Sequence, residues 1–133
     1  MRETDFLRAV LDEADCGFLL DLNNLYLNAR NHGLDAQALL AELPLERVRQ
    51  IHLAGFSQQD DILLDTHNTH VSSEVWELYR ATLTETGPVP TLIEWDQGIP
   101  SLDTVLDEAD RARAVQLEMT RDVHVSTCPT QAC

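Results

Sequence analysis

The stretch V-R-Q-I-H-L-A-G, Val48 to Gly55, decides the fold of this chain. It is a short apolar run bounded by Pro44 and Gly55, too short for a helix, and it reads as a buried strand. His52 lies between Ile51 and Leu53, and the two-residue period of a strand puts it on the face opposite those neighbours. Upstream, Asp35 can cap a helix carrying Ala38, Leu39, Leu40 and Leu43, which Pro44 ends. Further back, Asn23 to Gly33 is polar and Asn-rich, and reads as a loop with at most a helical turn. Phe18-Leu19-Leu20-Asp21 is likewise a buried strand, the first in chain order, with Val48 to Ala54 the second. Phe6, Leu7, Val10, Leu11 and Ala14 predict a helix over residues 4–14, closed by Gly17.

Downstream, Phe56 to about Ser73 reads as one long loop holding Asp60, Asp61, Asp65, His67 and His70. Ser72 or Ser73 caps a helix with the stripe Val75, Trp76, Tyr79 and Leu83, stopped by Gly87 and Pro88. Thr91 to Trp95 is the third strand. Gly98 and Pro100 mark a loop, and Ser101 opens a long helix with Leu102, Val105, Leu106, Ala109 and Val115 on one side. Residues 122–133 lack periodicity and read as a tail beyond a domain of residues 1–121. Strands alternating with helices make a parallel sheet with right-handed crossovers. The expected fold is therefore α/β: part of a (β/α) TIM barrel, with about three parallel strands. A closed barrel takes about 250 residues. Three strands cannot close one, and the chain opens on a crossover helix, so the remainder is expected on the N-terminal side.

The net charge is −14, from 23 acidic and 9 basic residues. Nucleic acid and anionic membrane surfaces are poor partners for such a chain. No apolar run approaches the roughly 20 residues of a membrane span, and Met1 to Val10 has no signal-peptide core, so a cytoplasmic location is expected. Cys16, Cys128 and Cys133 contain no C-x-x-C pair, which argues against a disulfide framework or a thiolate zinc site.

In a parallel barrel the chemistry lies at the C-terminal ends of the strands. Asp21 ends the first strand, with Asn24 three residues on; His52 lies late in the second, and Glu94 late in the third. Asp65 and His67 are two apart and point the same way in extended backbone, whereas His67 and His70 suit a helical turn; the Asp65–His67 pair is the one expected. Each residue has a plainer reading. Asp21 could be a helix cap, His52 a hydrogen-bonded core residue and His32 a turn residue; Trp76 and Tyr79 read as core, and His124 earns no role. What outweighs these is that three successive strands each end in a potential ligand. The O and N donors suit iron, manganese or zinc, and their number suggests more than one ion.

Four segments resemble one family: F-L-L-D-L-N-N-L-Y-L-N-A-R-N-H-G (Phe18 to Gly33), I-H-L-A-G-F (Ile51 to Phe56), D-T-H-N-T-H-V (Asp65 to Val71) and P-T-L-I-E-W-D (Pro90 to Asp96). It is DUF692, also called UPF0276, the multinuclear non-haem iron-dependent oxidative enzymes, and the likeness covers about residues 3–115. The resemblance implies a TIM barrel holding two or three iron ions that oxidises cysteine residues of ribosomally made precursor peptides with dioxygen. The methanobactin enzyme, which forms oxazolone and thioamide groups, is the type. A small partner protein often presents the peptide. By the same resemblance Asp21, Asn24, His52, Asp65, His67 and Glu94 are metal ligands. The family's early strands add two histidines and a glutamate, a segment absent here. The chain is therefore expected to be the C-terminal half of such an enzyme, weakly active or inactive alone, and completed by an N-terminal half or by further copies. The rival expectations are a metal-dependent hydrolase or isomerase of a xylose-isomerase-like barrel, which would not need dioxygen, and a non-catalytic truncated or split subunit.

Overall fold

The computed structural model describes residues 1–126. Helix α1 (Glu3–Ala14) precedes strand β1 (Phe18–Asp21), helices α2 (Leu22–Asn31) and α3 (Ala36–Glu42), and strand β2 (Val48–Ala54). Strands β3 (Ser57–Gln59) and β4 (Ile62–Leu64) follow, then α4 (Ser73–Thr86), β5 (Thr91–Glu94) and α5 (Leu102–Ser126). The main sheet has the order β1-β2-β5 and is parallel throughout, with Asp21 beside His52 and Ala54 beside Glu94. The expected parallel α/β arrangement of three strands is present, and it is compatible with part of a barrel.

One face of the sheet is covered and the other is open. Leu20, Ile51 and Leu53 point into a core completed by Leu22, Val75, Trp76 and Tyr79 from the helices. Leu19 and Leu92, on the opposite face, remain 47% and 44% exposed. Alternation along each strand puts Asp21, His52 and Glu94 on that open face too. Parallel sheets are normally covered on both sides; among the described residues this one is covered on one side. Among the described residues β1 and β5 each pair along one edge alone. A groove of about 560 Å³ runs between β5 and α5, lined by Pro90, Leu92, Ile93, Val105 and Gln116. A second of about 250 Å³ follows β1, between Leu7, Leu19 and Leu25.

Three segments depart from the sequence reading. The Asn-rich stretch is helix α2, because Asp21 accepts from the Asn24 amide at 2.9 Å as its N-cap and Leu22, Leu27 and Ala29 are buried; packing overrides propensity. The long loop contains an antiparallel hairpin, β3–β4, turned at Asp60 with φ 53°. Its strands are too short for their alternation to show. Helix α5 runs on to Ser126, beyond the point where the periodicity fades. Cys128, Cys133 and the rest of the expected tail lie outside the described residues. On α1, Leu11 is buried while Phe6 and Val10 stay exposed. No helix among the described residues is long and apolar enough to cross a membrane.

Candidate metal centre

The strand register brings Asp21, His52 and Glu94 together at the C-terminal ends of β1, β2 and β5. One donor atom of each lies within 4.8 Å of the others. His52 Nδ1 is 3.0 Å from Glu94 Oε1, about the separation of two ligands that meet one ion at right angles with bonds of roughly 2.1 Å. Asp21 is both a helix cap and a member of this group, since its cap bond uses only Oδ1. The His52 Nε2 edge meets Gln50 Nε2 at 3.2 Å.

Asp65 and His67 form a second group beside the first. His67 Nε2 is 2.7 Å from Asp65 Oδ1. The two atoms are not aimed for a hydrogen bond, and this buried nitrogen has no hydrogen-bond partner. Close approach without alignment is what two donors facing a common cation would show. The pairing is the one the sequence predicts, but the backbone between them is not extended: His67 takes φ 46°. On its other side, His67 Nδ1 lies 3.5 Å from Glu94 Oε2 and 3.0 Å from Asp96 Oδ2. Glu94 therefore turns one oxygen to each group. Asn24 donates from Nδ2 to Asp65 Oδ2 at 2.8 Å.

The sequence reading missed two residues here. Asn23 is fully buried and donates from Nδ2 to Asp65 Oδ1 at 2.7 Å; the Asn-Asn doublet after a strand-end acid was the available signal. Asp96 holds the His67 ring, and its amide also donates to the His67 carbonyl at 2.8 Å. His70 stands apart, bonded to Glu108 on α5. His32 is the C-cap of α2, a turn residue as its plainer reading had it.

The donor set fits a hard or borderline divalent ion: carboxylates and imidazoles, an orphaned imidazole nitrogen, and no thiolate among them. Burial alone would lower the His67 pKa, but the carboxylates of Asp65, Glu94 and Asp96 outweigh it and hold the ring above the ordinary histidine value. A raised folded-state pKa stabilises below the unfolded value, and that stability fades as pH rises through the folded value. Metal requires the neutral ring, so its stabilisation has the opposite slope. The melting temperature gained on adding a divalent ion should therefore widen between about pH 6 and pH 8, and a His67→Gln variant should flatten the trend. Thermal unfolding with and without metal checks both.

A protein-family model described as "RiPP precursor modification enzyme MbnB/TglH/ChrH" matches residues 1–117. The chain belongs to this family. A UPF0276 protein of Acaryochloris marina is 53% identical over 112 residues, which is 84% of this chain and 41% of the relative. One from Anaeromyxobacter is 51% identical over 116 residues, 87% of this chain and 41% of the relative. The chain thus spans about two fifths of the length of these curated relatives, and the MbnB/TglH/ChrH family match takes in every residue of the two donor groups.

Proposed function

We propose that this chain is the strand-end part of an iron-dependent oxidative enzyme that modifies cysteine residues of a ribosomally made precursor peptide. The observation that carries the reading is the shared Glu94, with one oxygen 3.0 Å from His52 and the other 3.5 Å from His67. That arrangement suits two neighbouring ions. Asp21, His52 and Glu94 would hold one; Asp65 and His67, with Asn24 alongside, would hold the other. Asn23 and Asp96 orient the second pair. In this reading the open face of the sheet is the inside of a TIM barrel, and the remaining strands and ligands come from the portion the longer relatives carry. A small partner protein would present the peptide. Iron held there would supply the electron transfer and dioxygen chemistry. The chain's own groups would fix the donors and line the pocket that receives the thiol. A thiolate is the form that binds a metal.

The test is metal content by mass spectrometry after anaerobic purification, comparing the parent with an Asp21→Ala, His52→Ala variant. The parent should carry iron and the variant should lose it. Metal-free parent protein under iron-replete conditions would sink the assignment. In the enzyme of full family length, the mass of a cysteine-containing precursor should change only when dioxygen is supplied. Turnover without dioxygen would favour a hydrolase instead.

A further inference from the structure

Glu108 is the buried acid that neither donor group uses. It lies on α5, is 6% exposed, and accepts from His70 Nδ1 at 2.7 Å. Its second oxygen is buried without a partner. A buried carboxylate with one bond is costly, and an apolar side chain would fill the same space more favourably. Stability alone therefore gives no reason for an acid here, and what it touches supplies one.

His70 lies on the segment that joins β4 to α4, three residues after His67. Its ring stands edge-on to Trp95, with centroids 5.2 Å apart and planes at 83°. Trp95 directly follows Glu94. The same imidazole thus contacts the neighbour of one donor residue and shares a short loop with another. That loop needs holding, because His67 sits in the left-handed region at φ 46°, where non-glycine residues persist only when their surroundings impose it. Two restraints are backbone: the Asp96 and Gln97 amides donate to the His67 carbonyl at 2.8 and 3.4 Å. A further restraint is the bond from His70 into the helix layer.

We infer that His70 and Glu108 form a latch that clamps the His67 loop against the end of β5 and so sets the spacing between the Asp65–His67 pair and Glu94. They are positioning residues and touch no ion themselves. The role of the clamped groups as ligands rests on the function proposed above; the latch itself does not.

The test uses the whole metal-free chain and four variants: Glu108→Ala, His70→Phe, these two combined, and Glu108→Gln. Amide hydrogen exchange at Asp96 reports the clamped loop, and exchange at Tyr79 and Leu83 in α4 reports global stability. Glu108→Ala and His70→Phe should each speed exchange at Asp96 at least tenfold, leave Tyr79 and Leu83 unchanged, and have no larger effect combined than singly. Glu108→Gln, which keeps an acceptor oxygen, should stay near the parent. Zinc titration should show the second equivalent weakened at least tenfold by Glu108→Ala while the first is kept. Unchanged exchange at Asp96, or a rise matched at Tyr79 and Leu83, would overturn the latch. A parent that takes up no ion would instead remove the metal reading and leave the exchange result to decide the latch.

Discussion

Replacing Glu94 with alanine should abolish binding at both donor groups while leaving the metal-free fold close to intact. Among the described residues the carboxylate is the only side chain that reaches His52 with one oxygen and His67 with the other. Outer-shell changes usually cost about 10–100-fold in metal affinity, and loss of a shared ligand should exceed that for both ions together. The metal-free chain should tolerate the change because Glu94 crowds an already acidic cluster that includes Asp21, Asp65 and Asp96. Its removal deletes favourable contacts to two histidines and relieves repulsion at once. Calorimetric titration of the variant with a divalent ion, paired with its melting temperature, separates the two effects. Retention of one tight equivalent would show that Glu94 serves a single ion.

Gly55→Ala should be the most damaging single-methyl change in the chain. A Cβ there would overlap the carbonyl and hydroxyl oxygens of Thr69, and it would come within 2.5 Å of the Thr69 carbonyl carbon. These are mainly backbone atoms, which cannot swing aside. Thr69 also donates from its hydroxyl to the Phe56 carbonyl at 3.0 Å, so the loop and the end of β2 are tied at this point. Overpacking of this kind costs about 1–3 kcal/mol, sometimes more, and relief can come only by moving the segment that carries Asp65 and His67. The expected result is a lower denaturation midpoint together with loss of the second metal equivalent. Gly87→Ala is the control: at φ 67° and ψ −172° its backbone lies in a region essentially restricted to glycine, so alanine should cost about 1–3 kcal/mol through backbone strain, but the new methyl meets open space and metal binding should not change.

Legibility in the sequence followed the physics of each element. The three sheet strands were visible because each is a compact apolar run closed by a turn or an acid. The Asp21–His52–Glu94 group was visible because strand ends in a parallel sheet converge, so one position per strand sufficed. The Asp65–His67 contact was anticipated as a pair, but through extended backbone. The left-handed turn at His67 depends on carbonyl bonds to Asp96 and Gln97, distant in sequence. Helix α2 was hidden because asparagines read as loop, and its helicity comes from a cap and a buried flank. The hairpin was hidden by its brevity. Its β4 strand is held from outside the hairpin, by Asn31 bonding both the carbonyl and the amide of Leu63 at 2.9 Å. Asn23 escaped notice because a buried amide declares itself only through what surrounds it.

The edges of the main sheet carry a direction as well as unpaired backbone groups. With the order β1-β2-β5, a copy that lays its β5 edge against the β1 edge of a neighbour keeps all strands parallel. It also leaves one free edge of each kind at the two ends. Such a junction is heterologous, so growth does not stop at the first pairing. It stops only when strand twist and sheet curvature bring the last β5 back to the first β1. Self-association through these edges would therefore be governed by curvature, and its products would be closed rings or open fibres.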